Sequence, residues 1–115
     1  VNLKTYTNEQ IPVIGKIMTL EEATIQIREI AKVKGGALNS IVKFKFEEGV
    51  ILLDDKQSPT VVSNEDSNAD CTIKMKMRNF EKLISGKQNP MFAFMSGKLK
   101  VDGDMSIAMK LSSLF

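Results

Sequence analysis

Histidine and tryptophan are absent from this 115-residue chain, and it has one cysteine and one tyrosine. Without histidine there is no Ser-His-Asp or Cys-His catalysis, no His-ligated metal and no imidazole pH switch. The lone Cys71 excludes an internal disulfide, a Cys-x-x-Cys motif and a structural zinc set, and it fits a reducing, intracellular compartment. Neither sign of charge predominates. Sixteen Lys and Arg against fourteen Asp and Glu leave +2, which gives little counterion-release drive, so nucleic acid is not expected as a partner. No apolar run approaches the ~20 residues needed to cross a bilayer. The chain opens on Val1 with no apolar signal segment, and is read as a piece of a longer protein or a processed product.

What remains is ordinary globular material, 43% apolar and 26% charged, at the size of one compact domain. Sulfur is the exception. Six of the seven methionines (Met75, Met77, Met91, Met95, Met105 and Met109) fall in the last 41 residues, beside Phe80, Phe92, Phe94 and Phe115. Methionine is unbranched and polarizable, so it serves either as filler of an irregular core or as the wall of a deformable lipid cavity.

Residues 1–18, interrupted by Pro12 and Gly15, read as a lead-in arm before a domain over 19–115. Thr19-Leu20-Glu21-Glu22 is a capping box, and Leu20, Ala23, Ile27, Ile30 and Ala31 line one face of a helix expected over about 20–33, stopped by Gly35-Gly36. The period then changes to two, giving strands at 41–46, 50–54, 60–62, 71–77 and 98–101, with a polar crossover between the third and fourth. They should form one sheet with Lys43, Lys45, Lys74 and Lys76 outward and Cys71 inward as a small hydrophobe. Asn79 is the expected cap of a helix carrying Phe80, Leu83 and Ile84. Asn89-Pro90 opens another helix, and Asp104 caps a last one. These final two elements, Met91 to Met95 and Met105 to Phe115, have almost no polar face and need cover from sheet, ligand, lipid or another subunit.

The segment Asn89-Pro90-Met91-Phe92-Ala93-Phe94-Met95-Ser96-Gly97-Lys98-Leu99-Lys100 and its continuation Val101-Asp102-Gly103-Asp104-Met105-Ser106-Ile107-Ala108-Met109-Lys110-Leu111 resembles the C-terminal signature of the sterol carrier protein type 2 family. The likeness extends upstream through Ala69-Asp70-Cys71-Thr72-Ile73, Phe80 and Ser85-Gly86-Lys87, and more faintly to Gly35-Gly36 and Leu52-Leu53-Asp54. The resemblance implies an α/β (α+β) fold: a five-stranded mixed sheet covered by helices and enclosing an apolar tunnel for a sterol, fatty acid, fatty acyl-CoA or phospholipid. It also implies a non-enzymatic carrier without cofactor, transient contact with membrane surfaces, and a possible parent such as a multidomain enzyme or stomatin-like protein. A peroxisomal address goes with the family, but Ser112-Ser113-Leu114-Phe115 lacks the terminal peroxisomal tripeptide. The turn Glu47-Glu48-Gly49 is shorter than in many members, and Met109 stands where some members place a polar tunnel residue.

The candidate lipid-binding residues are Phe80, Leu83, Ile84, Met91, Phe92, Met95, Leu99, Met105, Ala108, Met109, Leu111 and Phe115; no catalytic or metal-binding residue is assigned. Lys98 and Lys100 read as a solvated strand edge or as contacts to anionic headgroups or an acyl-CoA phosphate. Glu47, Glu48, Asp54 and Asp55 read as solvated turn carboxylates rather than a metal site. The scattered glycines form no phosphate loop. Two functions stand against each other: a lipid carrier or lipid-presenting domain, and an interaction module docking through its apolar last helix with a vestigial cavity.

Overall fold

The computed structural model describes residues 17–115, so most of the expected lead-in arm lies outside the described residues. Helix α1 (Leu20–Lys34) begins at the capping box: Thr19 Oγ1 accepts from the Glu22 amide and Glu22 Oε1 accepts from the Thr19 amide. Its inward face buries Ala23, Thr24 and Ile27, and the chain leaves it at Gly35. Strands β1 (Ile41–Phe46) and β2 (Gly49–Asp54) form the hairpin that the period-two pattern requires. β3 (Val61–Ser63) pairs with β2, and the polar crossover returns the chain to β4 (Cys71–Met75), which lies parallel to β1. Helices α2 (Met77–Ile84) and α3 (Pro90–Met95) follow, then β5 (Leu99–Gly103), α4 (Met105–Lys110) and a 3₁₀ turn over Leu111–Ser113. The sheet order is β3-β2-β1-β4-β5, mixed because β1 and β4 alone run parallel. Five strands in one mixed sheet with helices is the expected architecture.

Alternation in β1 and β4 sends Val42, Phe44, Phe46, Cys71, Ile73 and Met75 into the core. Lys45, Lys74 and Lys76 are exposed as expected, whereas Lys43 is half-buried and paired with Asp66. Phe46, Phe80 and Phe115 meet edge to face, with ring centroids 5.5 and 6.2 Å apart, and Phe44 lies 6.4 Å from Phe115. Such pairs add about 0.5–1.5 kcal/mol each beyond burial.

Several boundaries differ from expectation. The fourth strand ends at Met75 rather than residue 77, and α2 starts at Met77 with Lys76, not Asn79, at its N-cap and no side-chain bond there. Met77 is apolar in both patterns, continuing the alternation from Cys71 and standing three residues before Phe80. The Phe80 amide bonded to the Lys76 carbonyl settles it as helix. β5 runs on to Gly103 because Val101, Asp102 and Gly103 pair with Ile73, Thr72 and Cys71. Gly103 has φ +107°, and a Cβ there would come within 2.6 Å of the Asp70 carbonyl oxygen, so glycine is required on both counts. The last helix also ends earlier than expected, tightening into the 3₁₀ turn at Leu111.

Asp55 corrects the reading of the acidic cluster. It is 5% exposed, and its carboxylate accepts from the amides of Gly36 (2.6 Å), Leu38 (2.7 Å) and Asn39 (3.0 Å) and from Thr60 Oγ1 (2.7 Å). One side chain therefore ties the α1–β1 connection to the end of the hairpin. Burial pushes this carboxyl up, and the bonds from Thr60, Gly36, Leu38 and Asn39 together outweigh it, leaving the group below its ordinary 3.8.

Candidate functional site

The two elements without a polar face, α3 and α4, lie beside β4 and β5 and leave a cavity of about 90 Å³ between themselves and the sheet. Local chemistry fixes where each wall begins. Asn89 Oδ1 accepts from the Met91 and Phe92 amides, with Pro90 at the first helical position, so α3 starts there. Asp104 Oδ1 accepts from the Ser106 amide at 2.9 Å, so α4 follows directly after Gly103. The Ser106 hydroxyl, which donates to the same oxygen at 2.7 Å, and then the Ser106 amide hold the Asp104 carboxyl below its usual range.

Phe44, Ile73 and Met75 supply the sheet side of the cavity, Leu99 and Val101 the β5 side and Leu83 the α2 side. Pro90, Met91 and Phe94 come from α3, Met105, Ala108 and Met109 from α4, and Leu111, Ser112 and Phe115 from the C-terminal turn. Ser112 is the only polar side chain among the lining residues, and its hydroxyl already donates to the Met109 carbonyl at 2.9 Å. Among the described residues no titratable group borders the space. A cavity of this chemistry has nothing to hold ordered water and takes hydrocarbon readily. Met109 is 55% exposed, which places it at the rim. On the far side of Phe44 and Phe115 a smaller apolar space, about 10 Å³, reaches Ile27, Ile30 and Leu38, so the two rings partition the interior.

Eight of the twelve candidate residues border the larger cavity: Leu83, Met91, Leu99, Met105, Ala108, Met109, Leu111 and Phe115. Phe80 lies instead in the ring cluster of the core, and Ile84 packs against that core. Phe92 and Met95 turn away from the cavity, 67% and 75% exposed. On α3 Ala93 alone is buried; Met91 and Phe94, 41% and 37% exposed, border the cavity from its edge, and spacing does not separate them from Phe92 and Met95. Phe44, Ile73, Met75, Pro90, Phe94, Val101 and Ser112 were not among the candidates. The first three are recognisable as core-facing strand positions, but their place opposite α3 and α4 depends on sheet order.

Cys71 sits outside this cavity, fully buried. Burial, then the charges of Asp104, Asp102 and Asp70, push its thiol above the ordinary value, the reverse of what activates a nucleophile. Among the described residues no group of acidic or cysteine side chains is arranged to hold a metal, and no helix is long and apolar enough to cross a membrane.

The described residues thus build a helix-covered mixed sheet with an apolar cavity on one face. Residues 19–115 match the model of the SCP-2 sterol transfer family, and the chain belongs to that family. Human sterol carrier protein 2 is 51% identical over 55 residues, 48% of this chain and 10% of that protein. The chain thus spans about a tenth of the length of the curated relatives it matches. Among solved structures, the sterol carrier protein domain 2 of Helicoverpa armigera is 31% identical, with a TM-score of 0.58 over 83% of this chain and 78% of that one. The apo form of sterol carrier protein 2 from Yarrowia lipolytica is 26% identical, with a TM-score of 0.61 over 77% and 73%.

Proposed function

We propose that the chain binds the hydrocarbon part of one lipid in the cavity between β4, β5, α3 and α4, and transfers or presents that lipid without making or breaking a bond. The observation that carries this is the lining itself, apolar but for a serine already engaged. A fatty acid, fatty acyl-CoA, sterol or phospholipid supplies the complementary surface. Each buried methylene contributes about 0.8 kcal/mol, so even a partly inserted chain offsets the cost of immobilising it. The open space is smaller than a long acyl chain. Occupancy therefore requires rotamer changes at Met91, Met105 and Met109 and outward movement of the short helices that carry them, which methionine tolerates well. Among the described residues lining the cavity no free donor or cation awaits a carboxylate or phosphate, so the ligand's polar end stays at the rim, beside Met109.

The family resemblance and the human relative support this reading, and the small share of that relative's length supports a role within a larger protein. Saturable one-to-one binding of a fluorescent fatty acid to the delipidated chain, displaced by unlabelled fatty acid, is the expected result. Absence of binding would remove the carrier reading in favour of docking through α4. Because Met109 stands at the rim, Met109→Glu should melt cooperatively near the wild-type temperature, its carboxylate turned to water. Probe affinity should fall by about threefold to tenfold, since the cost of placing a charge beside the acyl chain is relieved by solvent. Unfolding of this variant, read by circular dichroism, would show Met109 to be core rather than rim.

A further inference from the structure

Phe44 and Phe115 are the two residues that border both apolar spaces, and the fold holds them with unequal firmness. Phe44 is 1% exposed in the middle of β1, registered against Ile51 on one side and Ile73 on the other. Both neighbours fix its backbone, and close packing fixes its ring. Phe115 is half-buried and follows the 3₁₀ turn, where the Leu114 amide donates to the Leu111 carbonyl at 2.9 Å. It belongs to no strand or helix. Its ring rests edge to face on Phe44 and Phe80, at 6.4 and 6.2 Å. Contacts of that kind can be exchanged for a hydrocarbon chain at small net cost, since the chain offers dispersion surface in return. Behind the rings, Ile27 and Ile30 of α1, Leu38 of the α1–β1 connection, Leu53 of β2 and Leu114 wall the smaller space. Lys34 and Asp55 border it too, the latter with its carboxylate engaged by four donors.

We propose that Phe115 is a movable partition between the two spaces and thereby sets the length of acyl chain that the site prefers. With the ligand's polar end at the rim beside Met109, its methyl end points inward, toward the pair of rings. A chain short enough to end in the larger cavity leaves Phe115 in place. A longer one displaces the Phe115 ring and runs on past Phe44 toward Ile27, Ile30 and Leu38. The space behind the rings thus gives extra length without further spreading of α3 and α4. Each methylene that gains apolar cover raises affinity by about fourfold. Affinity therefore climbs with chain length and flattens where the methyl end meets Phe115, because the next methylenes must first move the ring out of its contacts. The role of Phe115 rests on the lipid-binding reading; the two spaces and the rings they share do not.

The test is displacement of the fluorescent fatty acid from the delipidated chain by unlabelled saturated fatty acids of about 8 to 18 carbons. In wild type the gain of about fourfold per methylene should fall to near nothing at a definite length. Phe115→Ala should carry the gain past that length, exceeding wild type by at least about tenfold for the longest chains and by nothing for the shortest. Phe115→Leu keeps apolar volume in the core but no ring, so it should move the break by fewer carbons and melt closer to wild type. Ala31 borders the smaller space from α1, and adding Ala31→Leu to Phe115→Ala should fill that space and cancel the gain. One length profile shared by wild type and the folded Phe115 variants overturns the partition and leaves lipid binding standing. A gain that Ala31→Leu does not reverse also overturns it, since the longer chain then lies elsewhere. Failure of wild type to bind any chain length removes the lipid-binding reading, and the partition with it.

Discussion

Replacing Ala108 by phenylalanine is expected to weaken fluorescent fatty acid binding by at least about tenfold while the melting temperature holds or rises. Ala108 is half-buried on α4 and borders the cavity beneath Met105 and Met109. A ring grown from its Cβ enters space that no atom occupies, so it fills the site without forcing neighbours off their rotamers. In a close-packed core the same change costs about 1–3 kcal/mol through overpacking. Affinity and stability therefore move apart if the space is a binding site and fall together if it is core. Unchanged affinity in a folded variant would place the ligand elsewhere.

Asp55→Ala is expected to produce the largest loss of stability, about 2–3 kcal/mol, because it leaves the buried Leu38 amide and the part-buried donors of Gly36, Asn39 and Thr60 without their ionised acceptor. Gly36, Leu38, Asn39 and Thr60 all donate to this carboxylate, and none of these bonds survives truncation to alanine. Asp55→Asn keeps one acceptor oxygen but turns an amide NH₂ toward donors, so it should fall between wild type and alanine. The pH dependence has a definite sign. The carboxyl is lowered below 3.8 in the folded state, so its stabilisation is fully present above that unfolded value and is lost as pH falls through the depressed folded value. Urea denaturation from pH 7 down to pH 2 should show wild type losing this contribution below about pH 4, with Asp55→Asn lacking that part of the slope. Equal stability of wild type and Asp55→Ala at pH 7 would show that the carboxylate does not anchor the α1–β1 connection.

Short-range signals were legible and long-range ones were not. Thr19 with Glu22, Asn89 before Pro90, and Asp104 each cap a helix through partners two or three residues away, so residue type and spacing suffice to find them. Asp55 reaches amides 16 to 19 residues distant, and nothing near it in the chain separates it from the solvated Glu47 and Glu48. Met77 satisfies both periods, so spacing alone extends the strand two residues past its end at Met75. In the site, the apolar excess of α3 and α4 announced that both needed cover. Which residues of α3 border the cavity depends on how the helix docks on β5, and that separates Phe94, at the cavity's edge, from the more exposed Phe92. The outward lysines of β1 and β4 were readable from alternation, but the row they form with Lys100 exists only in the register of three strands.

Native mass spectrometry of the delipidated chain titrated with a long-chain fatty acid tests the cavity most directly. A single adduct per chain that saturates, and that Ala108→Phe abolishes while remaining folded, is the predicted result. No adduct at any ratio, or one that Ala108→Phe retains at full strength, would contradict it.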